Sequence, residues 1–238
     1  MADDLVDDFI LNDVPSDTEE PKRKKRKKKR ISEEPKIVIE DNEDPKEDFL
    51  DKLDDFFKHN LSSIEREAMN FGEGSFLTSN INHKTLSDYL KEIMTDWDKL
   101  INDKTKSKKG SPFIIVLASS ALRAVDLNRE ANDFKTKKCK TAKLFAKHMK
   151  LKDQSQFLEK NDIHFAVGTP NRVSSLLELG SLQTGQLKAI VIDWYWKDLK
   201  QRKIVNIPET RKDLFVLFQK HFSSCLGTDQ LDTKIALF

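Results

Sequence analysis

A five-residue segment in the second half of the chain has the composition of a phosphate-contacting helix start. It reads Gly168-Thr-Pro-Asn-Arg172, with threonine in the N-cap position and proline at the first helical position. A helix N-terminus offers free N–H groups and the positive end of the helix dipole. We therefore predict that Thr169, Asn171 and Arg172 contact phosphate groups. The alternative is a strand–helix turn without a ligand.

Lysines are dense just upstream of this segment. Residues 135–152 include eight lysines and no aspartate or glutamate. Such a cluster can follow an RNA backbone, with an affinity that depends on salt. We predict RNA contacts for four of its members, Lys138, Lys140, Lys143 and Lys147. A solvated basic face without a partner is the alternative.

A third basic feature lies near the N-terminus, where nine consecutive residues are lysine or arginine. They are Lys22, Arg23, Lys24, Lys25, Arg26, Lys27, Lys28, Lys29 and Arg30. A block of this kind is typical of a nuclear localisation signal or of an RNA-binding arm. A solvated charge run is the third interpretation.

Three consecutive aromatic residues, Trp194, Tyr195 and Trp196, follow the clearest predicted strand, and basic residues come directly after them. Aromatic and basic side chains together can stack on bases and hold phosphates. They can also anchor a protein partner, because tryptophan and tyrosine dominate interface hot spots. The third alternative is packing on the sheet. We predict a protein interface here.

Residues for ATP hydrolysis are missing from the sequence. No Gly-Lys-Ser/Thr occurs anywhere, and the Gly-x-Gly at Gly72 and Gly74 is followed by Ser-Phe. Asp193 is followed by Trp194, which cannot orient an attacking water. The five histidines are scattered and the two cysteines are far apart, so no metal site is indicated. We predict a protein that is not an enzyme, with no cofactor and no small-molecule substrate.

The composition divides the chain by charge. Residues 1–105 carry 18 Lys/Arg and 27 Asp/Glu, whereas residues 106–238 carry 24 and 13, although the whole chain is only +2. A basic C-terminal half favours a polyanionic partner, and nucleic acid is the first candidate. No apolar run approaches the ~20 residues that span a bilayer, so we expect no membrane association. The two distant cysteines indicate a reducing, intracellular compartment.

Periodicity predicts three regions. Residues 1–45, with charge blocks and four prolines, should form a disordered acidic and basic tail. Residues 46–105 show apolar spacings of three and four, which predict helices. Residues 106–238 alternate apolar strand-like runs with helical stretches, which predicts an α/β lobe with a parallel sheet. The predicted strands are 113–118, 143–146, 163–167, 187–193 and 234–238.

The strand-end residues of this lobe resemble motifs of DEAD-box RNA helicases. Gly168-Thr-Pro-Asn-Arg172 resembles their Thr-Pro-Gly-Arg motif, and Val191-Ile-Asp193 resembles the start of Asp-Glu-Ala-Asp. The resemblance implies that Thr169, Asn171 and Arg172 contact RNA. It also implies an incomplete RecA-like lobe that lacks the phosphate-loop strand. Since open sheet edges aggregate, we expect the helices of residues 47–101 to cover the edge that this leaves.

An ordered set of short segments is also similar to a eukaryotic small-subunit ribosome-assembly family. The segments are Ser111-Pro-Phe, Ser119-Ser-Ala-Leu-Arg-Ala124, Lys143-Leu-Phe-Ala-Lys-His148, Val167-Gly-Thr-Pro, Asp193-Trp-Tyr-Trp-Lys-Asp198 and Ile207-Pro-Glu-Thr-Arg-Lys212. The resemblance implies a non-catalytic factor of the small-subunit processome (the 90S pre-ribosome), located in the nucleus and nucleolus. Its implied partners are pre-ribosomal proteins, with pre-rRNA as a further candidate. A chromatin or replication-associated adaptor is the alternative, and an RNA-dependent ATPase is the least favoured.

Overall fold

The computed structural model describes residues 44–67, 69, 71–103, 108–147, 149–226 and 232–238. Nearly all of the predicted tail, including the basic block Lys22–Arg30, lies outside these residues. No helix within the described ranges is long and apolar enough to cross a membrane.

A five-stranded sheet forms the centre of the structure. The strands are β1 (Ile114–Leu117), β2 (Thr141–Leu144), β3 (Phe165–Gly168), β4 (Ala189–Ile192) and β5 (Lys234–Leu237). Every pairing is parallel, and the order across the sheet is β2-β3-β1-β4-β5. The predicted α/β class with a parallel sheet is therefore confirmed. Strand β1 is central and fully buried, which explains its continuous apolar run.

Strand β2 begins two residues before the predicted position, because its burial alternates. Ala142 and Leu144 are buried, whereas Thr141 and Lys143 are partly exposed. An edge strand that alternates buried and partly exposed residues does not form a continuous apolar run. The prediction followed the apolar residues Leu144-Phe-Ala146 and therefore placed the strand two residues too late.

Helices cover both faces of the sheet. The α-helices are α1 (Pro45–Phe57), α2 (Ser63–Glu67), α3 (Leu86–Ile93), α4 (Trp97–Asn102), α5 (Ala121–Glu130), α6 (Leu151–Lys160), α7 (Pro170–Glu178) and α8 (Pro208–Leu217). Short 3-10 turns occupy Glu73–Ser75, Ala131–Asp133 and Ile204–Asn206, and α8 continues into a π-helical turn, Phe218–Phe222. Helices α1, α6, α7 and α8 bury their apolar faces with one side of the sheet, and α3, α4 and α5 with the other.

Local sequence explains where the helices of the lobe begin and end. The Ser120 hydroxyl accepts a hydrogen bond from the Arg123 N–H (3.2 Å) and so caps α5. Pro170 opens α7, and Gly180 follows its end with a left-handed backbone (φ +73°). Gly168 ends β3 where a Cβ atom would lie 2.1 Å from the Leu144 carbonyl oxygen of β2.

The first helix packs against the sheet through an aromatic cluster. Phe49 of α1 is fully buried, and its ring centroid lies 5.7 Å from Trp194 and 5.3 Å from Phe218. On the opposite face, α3 buries Tyr89, whose hydroxyl donates to the Thr78 carbonyl (2.7 Å). The helices before the lobe thus share its two cores, although the predicted three-domain division itself stays a prediction.

An extended segment covers the outer edge of β5. The Leu77 N–H donates to the Ile235 carbonyl (2.7 Å), and the Asn80 N–H donates to the Leu237 carbonyl (2.8 Å). Phe76 forms a parallel bridge with Ile235. We call residues 76–80 the edge segment. The expected cover is therefore present within residues 47–101, but an extended stretch between α1 and α3, and not a helix, lies on this edge.

Candidate interaction site at the carboxyl edge of the sheet

A buried ion pair lies at the carboxyl edge, where ligands of parallel sheets usually bind. Asp193 follows β4, and its side chain is 1% exposed. Arg123, from the first turn of α5, donates from Nε and Nη2 to the two Asp193 carboxylate oxygens (2.9 and 2.8 Å). Burial raises the pKa of the Asp193 carboxyl, and the Arg123 guanidinium opposes that rise. Both oxygens of the only acid at the end of β4 are thus held by a bidentate cation.

The edge segment leads into a turn and then into α3, which is the chain path of a phosphate-binding loop. Lys84 and Thr85 occupy the positions directly before the helix, and Thr85 caps it by accepting from the Asp88 N–H (3.2 Å). His83 has a left-handed backbone (φ +48°), where a glycine would be the ordinary choice. Within the described residues the sheet has five strands, which agrees with the expected incomplete RecA-like lobe, and the edge segment adds a short extended stretch beside β5.

The N–H groups of this turn are engaged by oxygens of the chain itself. The Lys84 N–H donates to the Asn80 side-chain oxygen (2.9 Å), and the His83 N–H to the Asn80 carbonyl (3.1 Å). The first N–H of α3, from Leu86, donates to the Glu130 carboxylate (2.8 Å). The Lys84 ammonium pairs with Glu92. A phosphate group would have to displace these internal partners.

The predicted phosphate-contacting residues at the start of α7 have different environments. Arg172 is partly buried and donates from Nη1 to the Met149 carbonyl (3.1 Å) and to Gln154 Oε1 (2.9 Å). Thr169 makes no side-chain cap, and Asn171 is exposed. Arg172 therefore ties α7 to the start of α6, and the turn alternative accounts for the contacts observed in this structure.

The predicted basic cluster lies on both sides of β2 in sequence and on β2 itself, which is the edge strand at the other end of the sheet. Lys138, Lys140 and Lys147 are exposed and Lys143 is partly exposed. Lys138 donates to the Asn102 side chain (2.7 Å). Lysines on an edge strand also discourage edge-to-edge pairing, which is a structural reason for their presence.

Lys135 differs from the other lysines of this cluster. Its Nζ donates to the carbonyl and side-chain oxygens of Asn128 (both 2.8 Å) and lies 5.5 Å from the centre of the Phe165 ring. Burial lowers the pKa of Lys135 to about 8. This lysine belongs to the packed layer between α5 and the sheet.

The three predicted interface aromatics separate into a buried residue and two partly exposed ones. Trp194 is 1% exposed and packs on Phe49, which agrees with the packing alternative for this residue. Tyr195 lies against His83, with ring centroids 5.4 Å apart, and burial raises its pKa to about 12. The Arg123 guanidinium lies 5.3 Å from the centre of the Trp196 ring.

Arg123 and the turn before α3 are the residues that sequence reasoning missed. Arg123 was missed because its partner, Asp193, is 70 residues away in the chain, so the pair has no local sequence signal. The turn could have been found from the Lys84-Thr85 dipeptide before an amphipathic helix. Without a glycine at His83, it does not match the phosphate-loop motif.

A surface cavity of about 450 Å³ lies elsewhere, between α1 and α2. Its basic residue, Arg66, is engaged by both carboxylate oxygens of Asp54 (2.8 and 3.0 Å). None of the predicted site residues lines it.

Comparison with known proteins assigns the chain to a family. Residues 12–223 match the CMS1 family, whose description is U3-containing 90S pre-ribosomal complex subunit. The chain belongs to the CMS1 family. Human protein CMSS1 is 36% identical over 226 residues, which are 92% of this chain and 79% of the human one. CMSS1 of Xenopus laevis is 38% identical over 81% of this chain and 68% of its own length. Protein CMS1 of Chaetomium thermophilum is 36% identical over 69% and 66%.

Solved structures similar to this CMS1-family chain include DEAD-box proteins. One, from Methanococcus jannaschii, is 19% identical with a TM-score of 0.43, and the match covers 75% of this chain and 48% of that one. The helicase Mss116, bound to single-stranded RNA and UDP-BeF, is 14% identical with a TM-score of 0.48, over 79% and 37%. The chain thus spans less than half of these helicase structures.

Proposed function

We propose that this chain is a non-catalytic assembly factor of the small-subunit processome, acting in the nucleus and nucleolus. It binds pre-ribosomal proteins through its lobe, and pre-rRNA is a second ligand. The family membership, with its description as a 90S pre-ribosomal complex subunit, carries the proposal.

The carboxyl edge supports the non-catalytic part of the proposal. A metal-dependent phosphoryl-transfer site needs a free carboxylate for the metal and free N–H groups for the phosphates. Here the Asp193 carboxylate is held by Arg123, and the first N–H of α3 is held by Glu130. The residue after Asp193 is a buried tryptophan. These internal contacts occupy the groups that a nucleotide phosphate or its metal would use.

The exposed lysines along β2 support pre-rRNA as the second ligand. Lys138 and Lys140 before the outer strand β2, and Lys147 after it, have exposed side chains, and no acidic residue occurs within residues 135–152. Such a row can neutralise phosphates, so the affinity should fall steeply as salt rises. We also propose Thr169 and Asn171 as contacts for pre-rRNA. Arg172 would have to break its hydrogen bond to Gln154 before it could contact the same RNA.

Purification of the tagged chain from nuclear extract, with crosslinked RNA sequenced and proteins identified, tests the proposal. We expect pre-ribosomal RNA together with small-subunit assembly proteins. Recovery of chromatin proteins without pre-rRNA would contradict it and favour the adaptor alternative. RNA crosslinks at Lys138 or Lys140 would establish direct contact by the lobe.

A further inference from the structure

Exposed apolar side chains are concentrated at the carboxyl edge of the sheet. Five large apolar residues are exposed in the described part of the chain, and three of them lie here: Ile81 (58% exposed), Leu122 (64%) and Leu199 (103%). Ile81 follows the edge segment, Leu122 is in the first turn of α5 after β1, and Leu199 follows β4. Because these strands are parallel, all three residues emerge at the same edge.

Contacts between residues close in sequence to these three positions place them on one side of the lobe. The ring of His83, two residues after Ile81, lies against Tyr195 at 5.4 Å. Arg123, next to Leu122, lies over Trp196 at 5.3 Å, and Leu199 is three residues beyond Trp196. We define the apolar edge as this surface, formed by Ile81, His83, Leu122, Tyr195, Trp196 and Leu199.

The turn that carries Leu199 is held by hydrogen bonds to the side chain of the preceding residue, Asp198. One Asp198 carboxylate oxygen accepts from the N–H groups of Lys200 (2.8 Å) and Arg202 (2.9 Å), and the other accepts from the Arg202 guanidinium (3.0 and 2.8 Å). Gln201 adopts a left-handed backbone (φ +59°), which a non-glycine residue rarely adopts. Because the turn is fixed before a partner binds, little conformational entropy is lost when a partner buries the exposed Leu199 side chain.

The rim of the apolar edge is positively charged. Residues 194–203 contain four basic residues and one acidic residue, Asp198, which is engaged by Arg202. Lys200 is exposed and Lys197 is partly exposed beside Trp196. The partner that complements this rim therefore carries negative charge.

An acidic protein segment and RNA would each supply this negative charge, and the exposed aliphatic residues distinguish between these two partners. Bases stack on aromatic rings and guanidinium planes, whereas Leu199, Leu122 and Ile81 offer neither. Branched aliphatic side chains at the centre of a basic rim instead match a protein surface that buries apolar side chains. The edge has the features expected of an interface for a short amphipathic segment.

We propose that the apolar edge docks an acidic, amphipathic segment of another protein of the pre-ribosomal particle. This inference rests on the proposed function and specifies which face of the lobe meets a protein partner and what chemistry that partner has.

The first test is site-directed photo-crosslinking with the tagged full chain in nuclear extract. Benzoylphenylalanine would replace Leu199, and in a matched control it would replace Leu179, which is exposed too (58%) but lies at the end of α7. We expect position 199, and not position 179, to crosslink a pre-ribosomal protein at a segment that mixes acidic and apolar residues. Crosslinks from position 199 to RNA alone would overturn the proposal.

The second test measures affinity for a synthetic, fluorescent peptide with the crosslinked sequence. Leu199→Ser and the double variant Lys197→Glu/Lys200→Glu should each weaken binding at least tenfold, while Leu179→Ser should change it less than twofold. The thermal unfolding of each variant is measured in parallel, since these exposed positions should leave the fold unchanged.

The outcomes separate the docking surface from the function of the whole chain. An unchanged affinity of Leu199→Ser for the peptide would overturn the docking proposal, while the unaltered chain still recovers pre-ribosomal proteins and the proposed function stands. If the unaltered chain recovers no pre-ribosomal protein, both fail.

Discussion

The pair formed by Arg123 and Asp193 decides the chemistry of the carboxyl edge at the scale of single residues. The Arg123 and Asp193 side chains are 15% and 1% exposed, so water does not solvate either charge well enough to replace its partner. In a buried pair, removal of one partner leaves an uncompensated charge, whereas replacement of both by apolar residues is often tolerated. The pair therefore occupies both carboxylate oxygens of Asp193 and links the first turn of α5 to the end of β4.

Arg123→Ala should lower the free energy of unfolding by about 3–5 kcal/mol, because Asp193 stays buried without its partner. The double variant Arg123→Met/Asp193→Leu should recover most of that loss. Urea unfolding at neutral pH measures both changes. Arg129→Ala is the matched control, since its pair with Asp126 is exposed (3.5 Å), and it should cost less than about 1 kcal/mol. Equal losses in Arg123→Ala and Arg129→Ala would contradict the role given to the buried pair.

His164 makes the stability of the lobe depend on pH. Its Nδ1 accepts a hydrogen bond from the Lys140 N–H (3.0 Å), which requires the unprotonated form at that nitrogen, and burial lowers its pKa below the ordinary 6.5. The unfolded chain therefore binds this proton more readily, so the contribution of His164 to stability is complete above pH 6.5 and falls as the pH drops through that region.

We expect His164→Asn, whose side-chain oxygen can accept the same bond, to lose less Tm than the unaltered chain when the pH falls from 7.5 to 5. Thermal unfolding at both pH values measures the difference. Parallel losses in the two proteins would show that other groups govern the acid sensitivity.

At the scale of elements, the close pairing of β2 with β3 requires a glycine at position 168. A Cβ atom on residue 168 would lie 2.1 Å from the Leu144 carbonyl oxygen, which is backbone and cannot move without separating the strands. Gly168→Ala should therefore destabilise the fold by about 1–3 kcal/mol, as measured by chemical denaturation. In the control, Gly72→Ala, the added Cβ would meet no atom within 4 Å and should change stability little. A neutral Gly168→Ala variant would mean that β2 pairs more loosely than the structure indicates.

The segments before the lobe belong to its core. Removal of residues 1–110 would expose the outer edge of β5 and uncover Trp194 and Phe218, which Phe49 now buries. We expect residues 111–238 alone to aggregate, or to unfold at a clearly lower temperature than residues 42–238. Light scattering and thermal unfolding would measure this. A soluble fragment of unchanged stability would contradict the shared core.

Sequence reasoning reached the α/β class, the parallel sheet and the start of α7 because these depend on local signals. Ser120 and Pro170 mark helix starts that a reader of the sequence can find. The edge segment was missed because five residues with two ladder hydrogen bonds have no strand-like run of their own. The Arg123–Asp193 pair was missed because its partners are 70 residues apart. The exposed apolar edge depends on topology, since only the parallel sheet brings Ile81, Leu122 and Leu199 to one side.

At the scale of the whole molecule, the central proposal is a pre-ribosomal subunit whose helicase-like edge holds protein contacts and performs no catalysis. Sedimentation of nuclear extract, with and without depletion of ATP, tests it most directly. We expect the chain to sediment with 90S pre-ribosomal particles in both conditions, and the purified chain to show no RNA-stimulated ATP hydrolysis. Sedimentation apart from these particles, or ATP hydrolysis that Asp193→Asn abolishes, would contradict the proposal.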